Sequence, residues 1–201
     1  MKICELIYNS QILSDKSGKY MFYDLFDGDK NMEYVFELFV NKFYEHELPK
    51  RYKVSYQNQL DWQLDGGDKS ILPVMKMDTL IKTQEETIII DTKYKKKYTN
   101  ENFGKVTFVS ENMYQMMAYL NNVNVQNSLK GILLYPLPYN AEPINESYNC
   151  KVVSTTKGIM DAKLQFITID LSQDWRKISC DLLYIIDKQL SDIKKEELSK
   201  Q

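Results

Sequence analysis

Met77-Asp78 and, beyond a short polar stretch, Ile88-Ile89-Ile90-Asp91-Thr92-Lys93 are the segments whose reading decides the fold. They put an acid on one apolar run, and an acid and a lysine at the end of the next. In an extended strand residues i and i+2 share a face, so Asp91 and Lys93 are expected to project together. The apolar run Ile88 to Ile90 predicts a strand covered on both faces, so Asp91 emerges from a buried element rather than from a loop. Asp78 lies on the preceding strand, within reach across a hairpin. Two carboxylates that close repel unless a cation or Lys93 compensates. Such a cluster suits a hard divalent ion together with a water or a phosphate.

Outward from that hairpin the chain alternates helix and strand. Asn31 to Glu47 is helical by periodicity, with Met32, Val35, Phe36, Phe39, Val40 and Phe43 at three- and four-residue spacing and Pro49 just beyond. Glu33 and Glu37 lie one turn apart on the flank of that stripe. Arg51 to Tyr56 alternates as a first strand, and Asp65-Gly66-Gly67-Asp68 is a turn by composition. Met75 to Lys82 and Thr87 to Lys93 form the hairpin. Tyr94 to Gly104 is read as a basic, tyrosine-bearing loop. Ser110 is expected to cap a helix ending at Asn121-Asn122, with Met113, Met116, Met117 and Leu120 on one face and Gln115 and Tyr119 on another. Read without other information, that polar pair is exposed surface. Strands are expected at Gly131 to Leu137, Tyr148 to Ser154 and Lys163 to Leu171, then one long helix from Trp175; residues 1–13 are read as a short helix and Ser14 to Gly18 as a loop. The expectation is a single α/β domain over residues 1–201. Its core, at about 31–137, runs helix, three strands, helix, strand, and residues 138–201 extend it.

Composition narrows the function. The chain has 201 residues, 43% apolar and 27% charged, which is enough for one domain with a proper core. A net charge of -2 gives no global basic field, so any nucleic-acid contact must be local. The best local patch is Tyr94-Lys95-Lys96-Lys97-Tyr98, whose lysines suit phosphates and whose tyrosines suit sugar or base. Cys4, Cys150 and Cys180 form no CxxC pair and His46 is the single histidine, which argues against a Cys/His zinc site and against a disulfide framework. No run approaches the roughly 18 apolar residues of a membrane span, and the expected location is the cytoplasm.

An acid on one strand, an apolar strand ending in Asp-x-Lys, then a helix carrying Gln-x-x-x-Tyr resembles the PD-(D/E)XK nuclease superfamily. Phe36-Glu37-x-Phe39-Val40, Ile90-Asp91-Thr92-Lys93-Tyr94-Lys95 and Tyr114-Gln115-Met116-Met117-Ala118-Tyr119 resemble the nuclease domain of the McrC family, the cleavage subunits of 5-methylcytosine-specific McrBC restriction systems. Two departures stand out. Met77 occupies the position where the family usually has proline before the first acid, and the chain starts almost at the nuclease domain, where family members normally carry an additional N-terminal domain that engages a GTP-hydrolysing AAA+ partner. The expectation is therefore a shortened chain, a minimal homologue, or a nuclease working with another partner.

The resemblance implies a restriction-endonuclease-like fold and metal-dependent hydrolysis of DNA, with Mg²⁺ as the ion and Mn²⁺ as a substitute. Asp78, Asp91 and the Thr92 carbonyl would bind it. Lys93 would orient and activate the attacking water or stabilise charge on the phosphoryl oxygens. Glu37 would hold a water on the ion or a second ion, and Gln115 and Tyr119 would support the phosphate region. Lys95, Lys96, Lys97 and Tyr94 are the expected DNA contacts, and a McrB-type AAA+ GTPase the expected partner. The alternatives are a repair-type exonuclease or RNase on the same fold, or a non-catalytic subunit that docks onto an AAA+ NTPase.

Overall fold

Ile88, Ile89 and Ile90 are buried, and they divide between two cores: Ile88 and Ile90 pack in one, Ile89 in the other. That alternation makes the strand the middle layer of a helix–sheet–helix sandwich. The computed structural model of the chain describes residues 29–94, 99–102, 105–125, 127–138, 140–154 and 158–199. The expected helix at 1–13, the loop at 14–18, and Cys4, Lys95, Lys96 and Lys97 lie outside the described residues.

The elements are α1 (Asp29–Glu47), β1 (Lys53–Leu60), a 3₁₀ turn (Lys69–Ile71), β2 (Met75–Lys82), β3 (Glu86–Thr92), β4 (Thr99–Asn102), β5 (Lys105–Phe108), α2 (Ser110–Asn122), β6 (Ser128–Pro136), β7 (Asn145–Ser154), β8 (Gly158–Ile169), α3 (Trp175–Ile186) and α4 (Lys188–Ser199). Six strands form a mixed sheet in the order β1-β2-β3-β6-β8-β7. β1, β2 and β3 are antiparallel neighbours; β6 then joins β3 in parallel, and β8 joins β6 in parallel. The β3-to-β6 crossover carries α2, as a parallel connection requires.

The phenylalanine stripe of α1 packs with α3 on one face: Phe36, Phe39, Phe43 and Tyr44 meet Ile81, Ile88, Ile90, Leu134 and Leu182. The hydroxyl of Tyr44 donates to the Leu182 carbonyl at 3.0 Å, which ties the two helices. On the other face α2 sets Met116, Tyr119 and Leu120 against Met77, Ile89, Leu133 and Phe166. Each fully buried Ile or Phe contributes about 1.5–3 kcal/mol. Gly131 permits α2 to approach β6, because a Cβ there would lie 2.7 Å from the Met116 sulfur.

Four expectations are corrected. Ser110 is the first helical residue of α2 rather than its cap; Val109 takes the capping position and makes no side-chain bond. The stretch read as a loop, Tyr94 to Gly104, contains β4, which pairs antiparallel with β5 just beyond it. Met113 is 41% exposed and does not join the buried Met116. The C-terminal helix is two helices: Asp187 is extended (φ -152°), ends α3, and accepts from the Gln189 N–H at 2.8 Å to start α4. Among the described residues no helix is long and apolar enough to cross a membrane.

Candidate active site

The β2–β3 ladder runs Lys82↔Thr87 to Thr79↔Ile90. One step further the same register sets Asp78 opposite Asp91, where the ladder gives way. There the Thr92 N–H and Oγ1 both donate to Oδ2 of Asp78, at 2.8 and 2.9 Å. A carboxylate thus takes the place of a backbone acceptor at the strand end. In an extended residue N–H and C=O point to the same side, so the Thr92 carbonyl also faces the Asp78 side. Lys93 continues past the strand, with its N–H on the Leu134 carbonyl at 2.9 Å.

Asp91 is fully buried. The Lys93 ammonium lies 2.8 Å from its Oδ2, so the i, i+2 pair does share one side. Oδ1 of Asp91 is buried with no hydrogen-bond partner. Desolvation pushes the Asp91 carboxyl up, to about 7, with Lys93 pulling it down and Asp78 pushing it up. Asp78 is also raised, first by burial, against the pull of Lys93 and the Thr92 bonds. Burial lowers the Lys93 ammonium, but Asp91 and Asp78 outweigh it and hold its pKa above the ordinary lysine value. Lys93 is therefore a fixed positive charge at neutral pH and a poor proton acceptor.

Glu37 reaches the corner from α1. Its carboxyl is raised by burial and next by Asp78, and lowered by Gln57, Tyr56 and Lys93. Gln57 Nε2 donates to Glu37 Oε1 at 3.0 Å. Gln115 and Tyr119 are joined by a 2.6 Å bond from Nε2 to the hydroxyl, which donates in turn to the Lys76 carbonyl at 2.8 Å. Tyr119 is not the exposed surface that its spacing alone suggests: it is 3% exposed, and burial, then Asp91, raises its phenol to about 12. The pair pins the β2 backbone just before Asp78. The Tyr94 ring is half-buried and packs on Phe36, centroids 6.3 Å apart.

The structure therefore brings Asp78, Asp91, Lys93, Thr92 and Glu37 to one corner, with Gln115 and Tyr119 behind it. Sequence reasoning missed Gln57 and Tyr56, which bear on Glu37, and Tyr135, buried on β6 beneath Asp91 and Lys93 and accepting from Asn112 at 3.0 Å. Glu33 was visible one turn before Glu37 but was given no role; its charge acts on Asp78, Asp91 and Lys93. The alternation of β1 was the available signal for Tyr56. None marked Gln57, whose placement depends on its backbone. A divalent ion fits this donor set, because Asp91 offers a buried oxygen that nothing else satisfies, and the two raised carboxylates gain most from a cation.

The chain is 29% identical over 195 residues to the type IV methyl-directed restriction enzyme EcoKMcrBC of Escherichia coli K12; the match covers 94% of this chain and 52% of that protein. The chain thus spans about half the length of that curated relative. A structure of Thermococcus gammatolerans McrB AAA+ hexamers with bound McrC shares 12% identity over 75% of this chain and 31% of that one, with a TM-score of 0.49. The model of one family, the McrBC 5-methylcytosine restriction system component, matches residues 1–136, most of the chain. By that match the chain belongs to the McrBC 5-methylcytosine restriction system component family.

Proposed function

We propose that this chain is the cleavage module of an McrC-type restriction system, a metal-dependent endonuclease that hydrolyses DNA phosphodiester bonds on a PD-(D/E)XK core. The observation that carries the reading is the buried corner in which Asp91, with one unsatisfied oxygen, meets Lys93 and stands opposite Asp78. The order of α1, β1 to β3, α2 and β6, with β6 parallel to β3, agrees with that core.

Asp78, Asp91 and the Thr92 carbonyl would hold Mg²⁺, with Mn²⁺ as a substitute and Glu37 at one water's remove. When bound, the ion supplies Lewis-acid polarisation of a phosphoryl oxygen and a more acidic water. Lys93, kept charged by its two carboxylates, stabilises negative charge developing on the phosphoryl oxygens, and this role is favoured over that of a base. Tyr119 and Gln115 hold β2 so that Asp78 keeps its place opposite Asp91. Contact of Lys95, Lys96, Lys97 and Tyr94 with DNA rests on their following Lys93 directly in sequence. Family membership supplies the argument for an AAA+ GTPase partner of McrB type.

The test is nicking of supercoiled plasmid with Mg²⁺ or Mn²⁺, alone and with an AAA+ GTPase of McrB type. Metal-dependent cleavage that is lost in Asp91→Ala and Lys93→Ala is expected. Equal cleavage by both variants, or none from the reconstituted system, overturns the proposal.

A further inference from the structure

β1 and β2 break the alternation rule together. Val54 on β1, like Tyr52 just before it, packs in the core under α1, yet Leu60, an even number of residues further on, packs in the core under α2. On β2, Met75 and Met77 face α2 while Ile81 faces α1, and Asn41 of α1 donates to Thr79 Oγ1 at 3.2 Å. A regular strand keeps residues of equal parity on one face. Both strands therefore roll over between Tyr56 and Asn58 and between Thr79 and Met77.

The register shows how. Tyr56 pairs with Thr79 and Asn58 with Met77, so Gln57 stands opposite Asp78, and that position drops out of the ladder. Gln57 has φ +47°, in the left-handed region that a non-glycine side chain rarely enters. Such a backbone costs on the order of 1–3 kcal/mol and persists only where the surroundings enforce it. A glycine would remove that cost, but it has no amide. The amide is used: Nε2 donates to Glu37 Oε1 at 3.0 Å, across from Asp78.

We infer that Gln57 is a positioning residue of the metal-dependent site, whose left-handed backbone turns its amide onto Glu37 and holds that carboxylate beside Asp78. The inference rests on the metal-dependent reading proposed above. Without the amide Glu37 keeps its helix and its burial but loses the donor to its Oε1. Loss of an outer partner of a metal-site group weakens metal binding by about tenfold or more.

Gln57→Gly separates position from fold, since glycine accepts φ +47° while the side chain that carries the amide is removed. Mn²⁺ affinity by titration calorimetry and thermal unfolding without metal are read for wild type, Gln57→Gly and Asp91→Ala. The expected result is Mn²⁺ binding by Gln57→Gly about tenfold weaker than wild type, with an unfolding midpoint equal or higher. Unchanged affinity overturns the inference, and so does a loss of affinity that accompanies a lower midpoint, which marks a structural role. Wild-type protein that binds no Mn²⁺, or binds it undiminished in Asp91→Ala, refutes the metal-site reading itself, and the role of Gln57 toward a metal falls with it.

Discussion

At the scale of single residues, Asp91 is held where water cannot reach it, against one lysine and opposite a second acid. Its ionised form is less favoured in the folded chain than in the unfolded one. Because the folded pKa is raised, to about 7, stability is greatest below the unfolded carboxylate range and is lost as pH rises toward and through that value. Metal-free protein should therefore unfold at a lower temperature at pH 8 than at pH 5. Asp91→Asn should flatten that difference, and Mn²⁺ should reverse it in wild type only; scanning calorimetry at the two pH values, with chelator or Mn²⁺, reads all three. Lys93→Met should widen the gap, because removing one partner of a buried pair costs about 3–5 kcal/mol once the remaining charge is ionised; a gap equal to that of wild type would contradict the pairing. The acids and the lysine were legible in the sequence because strand parity alone puts Asp91 and Lys93 on one side. Gln57 was not, because nothing in its neighbours announces a left-handed backbone. The burial of Tyr119 is not legible from its spacing, because i, i+4 spacing tells which residues share a face but not what that face meets.

At the scale of elements, α2 acts on the site through its contact with the sheet. Tyr119→Phe removes the bond to the Lys76 carbonyl and should cost about 1 kcal/mol in denaturant unfolding. It should also lower the cleavage rate, since β2 is then freed just before Asp78; an unchanged rate would mean that α2 only packs. Gly131→Ala forces a Cβ toward Met116 and Leu120 and should destabilise by about 1–3 kcal/mol. The double variant with Met116→Ala should be more stable than the sum of the two single effects, and additivity would contradict the close approach. Helix α1 was legible because its phenylalanines recur at helical spacing. The division of the last helix at Asp187 was not, since no glycine or proline marks it and the break depends on a local aspartate cap. β4 falls in a stretch read as loop because the polar residues from Tyr94 onward hide any alternation.

At the scale of the whole molecule, one sheet between two helical layers holds the site at the end of β3, where the antiparallel β1-β2-β3 strands meet the parallel β3-β6-β8 strands. The order of α1, β1 to β3, α2 and β6 followed from the sequence, without β4 and β5. The placement of β8 between β6 and β7 did not, because pairing between distant strands leaves no local trace. The central claim is that Asp78 and Asp91 form a divalent-metal site. Crystals soaked in Mn²⁺ and measured at the manganese absorption edge test it most directly. One anomalous peak beside the carboxylates of Asp78 and Asp91 is expected, absent from Asp91→Ala; no peak there, or a peak that survives Asp91→Ala, would contradict a metal site at these residues.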